Sequence, residues 1–285
     1  MIRTGIQSYA YFRLDDYEVG MRKMKAHGYD CIDYQELMYA DSPLFRLSDE
    51  AFEAYLTKVG ACAQENGLQI WQLHAIWPTV DDTTDEGRKA TIGYYKKDIL
   101  GAKYLGCQRV VLHPCLPKGW GGDATEEEFF DANVAMLTAL LPAAKEAGVT
   151  LCLENMPFKK GRAFSNIESL KAVIQAVNDE CVKACLDTGH LYVMGDDIRE
   201  AIVLLGNDLG ALHVHDDLAR QDRHLIPFQG AIDWNGFIDG LKTIRFTGCI
   251  SLETVVAERM PEELKESFQL ALSSVAKWLA KQVEN

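Results

Sequence analysis

The sequence predicts a single-domain (β/α)8 barrel, and three observations carry that prediction. Short apolar β-like runs alternate with amphipathic helical stretches eight times along the chain. No proline-rich or low-complexity linker interrupts the series, so the 285 residues, 48% of them hydrophobic, read as one domain over 1–285. No Gly-rich phosphate fingerprint follows the first strand, which removes the main support for an open doubly wound sheet. Repeated βα units pair in parallel through right-handed crossovers, and eight of them close a barrel.

Each element has a local cause. An apolar strand over 2–8 leads to a helix over about 15–27, which Gly28 caps, and a second strand covers 30–34. Ser48 N-caps a helix with Phe52, Leu56, Val59 and Ala63 at helical spacing, and Asn66-Gly67 ends it before the strand LQIWQLH. A polar helix start near Asp85 runs to Leu105 and Gly106, and the strand RVVLHP stops at Pro114. Thr125 with Glu126, Glu127 and Glu128 gives an N-cap and an acidic first turn to a helix ending at Ala147 and Gly148, before VTLCLEN. Helices over 166–177 and 196–205 flank the strand in CVKACLDTGH, and a strand ending at His213 follows. A helix over 234–244 leads through Gly248 to CISLET, and an amphipathic helix over 261–283 closes the chain. On it, Val275, Trp278 and Leu279 suit either the core or an interface between copies.

The formal net charge of -13 argues against nucleic acid as the main partner, because affinity for a phosphate backbone comes largely from its neutralisation by Lys and Arg. The first residues lack a signal-peptide pattern, and no apolar run reaches membrane-spanning length, so a cytoplasmic protein with no membrane partner is expected. Eight scattered cysteines without a C-x-x-C pair read as small buried hydrophobes in a reducing compartment.

A barrel of parallel strands puts every C-terminal strand end on one face. His74, His113, Glu154, Asp187, His213 and Glu253 all fall at predicted strand ends. Glu154, Asp187, His213 and Glu253 come from strands five to eight, and three carboxylates with one imidazole make a mostly oxygen site for a divalent cation. The segment 209–224 adds His215, Asp216, Asp217, Asp222 and His224 beside them. In the loops, Tyr9, Tyr11, Phe12, Trp77, Trp120, Phe158 and Phe228 could pack on sugar C–H faces. Lys118, Lys159, Lys160, Arg162, Arg220 and Arg223 could meet an anionic group, Arg223 being the one expected to face the pocket.

LHAIWP, VVLHP, LCLENMP, CLDTGH, LHVHD, DRHLIPFQGAIDW and ISLET together resemble the xylose isomerase-like TIM barrels over nearly the whole chain. That family includes ketose 3-epimerases, inosose-processing enzymes and endonuclease IV-type AP endonucleases. The resemblance implies that Glu154, Asp187, His213 and Glu253 hold one divalent metal, manganese, cobalt, magnesium or zinc. It implies proton transfer by Glu154 and Glu253 through an enediolate, with His190 at the carbonyl oxygen; His74, His113, Arg223 and Trp77, by their place at and just past the strand ends, are read as further substrate contacts. The expected activity is a metal-dependent isomerase or epimerase of a small sugar, sugar phosphate or polyol derivative, and barrels of this kind are commonly homodimers or homotetramers. A dehydratase or lyase shares the same enolate logic. The alternative is a trinuclear zinc phosphoesterase acting on abasic DNA, since His74, His113, His190, Asp222 and His224 match its extra ligands, Asp222 and His224 being the additional metal positions. Charge favours the isomerase. Pro227-Phe228-Gln229-Gly230 departs from the P-G-E-G turn common in the family.

Overall fold

In the computed structural model, which describes residues 1–120, 122–157, 166–257 and 259–285, the eightfold alternation becomes a parallel barrel. Its strands are β1 (Arg3–Gln7), β2 (Cys31–Tyr34), β3 (Gln69–His74), β4 (Arg109–Leu112), β5 (Thr150–Glu154), β6 (Val182–Asp187) and β7 (Leu209–His213). A hairpin of β8 (Asp216–Leu218) and β9 (Gln221–Leu225) comes next, and β10 (Cys249–Leu252) completes the barrel. The order is β10-β1-β2-β3-β4-β5-β6-β7, and every barrel pair is parallel. The seam closes where Val214 N donates to Ser251 O at 2.8 Å and Glu253 N donates to Val214 O at 3.0 Å.

Helices α1 (Tyr17–His27), α2 (Asp49–Glu65), α3 (Asp85–Leu105), α4 (Glu126–Ala147) and α5 (Ile167–Val177) cover the first strands. The second half adds α6 (Thr188–Met194), α7 (Ile198–Leu205), α8 (Trp234–Thr243) and α9 (Glu262–Glu284). The expected stops are in place: Gly28, Gly106 and Gly148 end α1, α3 and α4 in the left-handed region, at φ of 86°, 69° and 67°. Ser48 Oγ accepts from Ala51 N, and Thr125 with Glu128 forms a full capping box.

What positions the site is the two-residue period of a strand. Val111, Cys152, Cys185 and Ala211 form a small apolar layer inside the barrel. Two residues further on, on the same inward face, stand His113, Glu154, Asp187 and His213. Small apolar side chains below thus carry polar ones above, at the C-terminal mouth. The register confirms the alignment, with Asp187 directly beside His213.

Three features differ from the sequence expectation. The segment after His213 is the β8–β9 hairpin rather than a loop, and the predicted sixth unit holds two helices, α6 starting immediately after Asp187. His113 and Glu253 stand one residue beyond β4 and β10 rather than on them. Among the described residues, no helix is long and apolar enough to cross a membrane.

Candidate metal centre

Glu154, Asp187, His213 and Glu253 converge, each offering a ligand atom within 4.8 Å of the others. All four are buried. His213 Nδ1 lies 3.1 Å from Glu154 Oε1 and 3.2 Å from Glu253 Oε2, so this nitrogen faces the cluster. Its Nε2 faces away, 3.0 Å from Oδ2 of Asp33, a wholly buried carboxylate on β2 that also accepts from Gln72 Nε2.

A further set of imidazoles surrounds this quartet with one nitrogen fixed and the other aimed inward. His74 donates from Nδ1 to Ala75 O at 2.8 Å, His190 to Asn155 O at 2.9 Å and His224 to Glu253 O at 2.8 Å. These bonds select the tautomer that leaves Nε2 for a cation or a substrate oxygen. The Nε2 atoms of His190 and His224 lie 3.4 and 3.2 Å from the two carboxylate oxygens of Asp222. On the other side, Nε2 of His113 is 3.1 Å and Nε2 of His74 is 4.0 Å from Glu154 Oε2.

Electrostatics follow from this crowding. Burial alone would raise Glu154, but the His213 and His113 rings outweigh it and hold the carboxyl well below its usual range. Asp187 likewise overcomes its burial through His190 and His215, reaching about 2. Glu253 goes the other way: burial, with the charges of Glu154 and Asp187, pushes it up to about 7 against the pull of His213 and His224. Burial opposes charge on His190, His215 and His224, yet their carboxylate neighbours, Asp187 for the first two and Asp222 for the third, raise each to about 10. His74 is lowered to about 4 by burial and by His113. Several buried carboxylates thus draw protons onto the rings between them, and a divalent cation can take the place of those protons. Glu154 Oε2, buried and facing the His113 and His74 rings at 3.1 and 4.0 Å, has lone pairs to offer it. The donor set fits a hard to borderline divalent ion.

Glu154 and Glu253 of the quartet line a cavity of about 590 Å3. His74, His113, His190, Asp222 and His224 line it with Glu154 and Glu253. Trp77, 4.4 Å from the His113 ring and 5.5 Å from Trp120, forms one wall, and Tyr9 stacked on Tyr39 at 6.3 Å forms another. The structure therefore brings together ten of the eleven residues singled out as ligands or substrate contacts. Arg223 is the exception. It lies between Asp222 and His224 on β9, where alternation sends it outward, and its exposed guanidinium bonds Gln221 Oε1.

The other loop residues divide. Tyr9, Trp77 and Trp120 line the cavity, whereas Tyr11 bonds His27 Nδ1 and Phe12 packs under Gly20. Phe228 stands against Trp234 and Trp278. Lys118 pairs with Glu128 and Arg220 lies over the Tyr192 ring. Phe158, Lys159, Lys160 and Arg162 fall outside the described residues. Asp216, noted in the 209–224 cluster, organises backbone, accepting from Phe228 N, Ile232 N and Trp234 Nε1. Asp33 and the contact of His215 with Asp187 were not legible in sequence, because neither a mid-strand aspartate nor the partner of a buried histidine leaves a spacing signal.

A sequence model described as the xylose isomerase-like TIM barrel matches residues 21–275. A probable endonuclease 4 of Metamycoplasma arthritidis is 28% identical, covering 79% of this chain and 82% of its own length. D-psicose 3-epimerase of Ruminiclostridium cellulolyticum is 24% identical, over 87% of this chain and 82% of that one. The crystal structure of IOLI protein with a bound zinc atom superposes with a TM-score of 0.76 at 22% identity, over 99% of this chain and 98% of the other, and shows the shared fold.

Proposed function

Starting from the fact that this chain belongs to the xylose isomerase-like TIM barrel family, we propose that it is a divalent-metal-dependent isomerase or epimerase of a small sugar or sugar derivative. The observation that carries the reading is the pair Glu154 and Glu253. Both reach the same buried cluster, yet one carboxyl is held well below its usual range and the other is raised to about 7. Carboxylates whose environments push them apart are suited to act as base and acid.

Glu154, Asp187, His213 and Glu253 would hold the ion, which when bound polarises the substrate carbonyl and orients its vicinal oxygens. Glu154, ionised, takes a proton from the carbon beside the carbonyl, and Glu253 returns one from the other side of the enediolate. His190, anchored on Asn155 O, directs its other nitrogen toward the oxygen where charge develops. Trp77 and Tyr9 offer apolar faces to the sugar. The relatives named as D-psicose 3-epimerase and inosose isomerase support a ketose or inosose substrate. The surface of net charge -13 supports a small-molecule partner over a duplex, and the eight free cysteines support a cytoplasmic setting.

A second reading rests on one specific observation: His74 and His113 stand beside Glu154, and His190 and His224 beside Asp222, as further donors that additional ions would use. That would suit a trinuclear phosphoesterase, as in the endonuclease 4 relative. Metal analysis of unchelated protein separates the two. About one equivalent per chain is expected under the isomerase reading. Three equivalents of zinc, with incision of abasic duplex, would replace it.

A further inference from the structure

The D-T-G-H and H-V-H-D segments interlock, and the point where they meet is His215. Its ring is wholly buried, and Nε2 lies 3.1 and 3.0 Å from the two carboxylate oxygens of Asp187. Every residue of the segment 187–190 has a part in that contact. Thr188 clamps the backbone of His215 from both sides, its hydroxyl donating to His215 O at 2.6 Å and accepting from His215 N at 3.0 Å. Gly189 makes room for the ring, because a Cβ there would sit 2.0 Å from His215 Cε1. His190 N donates to Asp187 Oδ1 at 2.6 Å, fixing the carboxylate from the helix side. On its far face the His215 ring stacks on His224 at 4.1 Å, and its Nδ1 lies 3.7 Å from Asp217 Oδ1.

We propose that His215 is a positioning residue of the metal centre: it is not itself a ligand, but donates from Nε2 to Asp187 and so fixes the direction in which that carboxylate meets the ion. A carboxylate ligand needs its lone pairs aimed and its rotation arrested, and a donor behind it does both. His215 is suited to this because it cannot retreat. Its backbone is tied to Thr188, and its ring is held between His224 and the bare backbone of Gly189. The stack on His224 also links the quartet to the Asp222 side of the cavity, so a shift of His215 would move both.

The proposal rests on the metal reading above, and the experiment separates their failures. Metal-free wild type is titrated with Mn2+ and the dissociation constant measured by the free-ion EPR signal, with circular dichroism as the check of folding. Wild type that takes up no Mn2+, nor Zn2+ in parallel, ends the metal reading and this proposal with it. Given uptake by wild type, His215→Leu is expected to weaken binding about 10- to 100-fold, the usual cost of losing a group that orients a ligand. His215→Gln, which keeps an N–H donor, is expected to recover part of that loss, which a role in packing alone would not produce. Folded His215→Leu that binds as wild type overturns the proposal. Should His215→Leu fail to fold, the ring 15N shifts of wild type decide: protonated Nε2 in the metal-loaded protein is expected, and unprotonated, metal-bound Nε2 overturns it.

Discussion

At the scale of single residues, the two glutamates are chemically identical in sequence and opposite in the fold. Glu154 sits between the His213 and His113 rings, which outweigh its burial, whereas Glu253 keeps company with Glu154 and Asp187, and burial dominates. The sign of the pH dependence follows. Below about 7 the Glu253 carboxyl holds its proton, and that proton competes with an ion for the carboxylate. Metal affinity of the metal-free protein is therefore expected to fall as pH drops through about 7, with proton release on binding that calorimetry in buffers of different ionisation enthalpy detects. Affinity that stays level between about pH 5.5 and 8 would contradict this placement of Glu253. The quartet was legible in sequence because each member stands at or one step past a strand end, above Cys152, Cys185 and Ala211 for the three from β5 to β7. Asp33 was not, since nothing in CIDY distinguishes a carboxylate that backs a histidine from one that faces solvent.

At the scale of elements, the caps account for most of what could be read in advance. The apolar period and the capping residues at the ends predicted α1 to α5 within a few residues. The capping box of α4 offers a clean test, because Thr125 and Glu128 satisfy two end groups reciprocally and stand outside the metal cluster. Thr125→Ala is expected to lower stability by about 1 kcal/mol in urea unfolding while metal content stays at the wild-type value. No change in the unfolding midpoint would mean that the box contributes nothing. The β8–β9 hairpin escaped prediction for a definite reason. Its turn residues, Ala219 and Arg220, have φ of 59° and 56°, where Asn or Gly would have signalled a two-residue turn. Phe228 repeats the lesson at the position of the family glycine, adopting φ 76° with its N bonded to Asp216 Oδ2. Tertiary anchoring by Asp216 holds a conformation that local preference disfavours.

At the scale of the whole molecule, the closed parallel barrel converts a linear pattern into a site. Residues separated by up to 179 positions, from His74 to Glu253, meet because each strand delivers its end to the same mouth. An apolar interior layer supports the floor, and aromatic side chains wall the cavity above it. The most direct test of this account is hydrogen–deuterium exchange at carbon. Metal-loaded protein is incubated with ketoses and inososes in deuterated water, and loss of the C–H signal beside the carbonyl is followed by NMR. The account predicts stereospecific exchange on at least one of them, abolished by chelation and reduced at least about 100-fold in both Glu154→Gln and Glu253→Gln. Intact C–H bonds on every sugar, or exchange that survives in both variants, would contradict it.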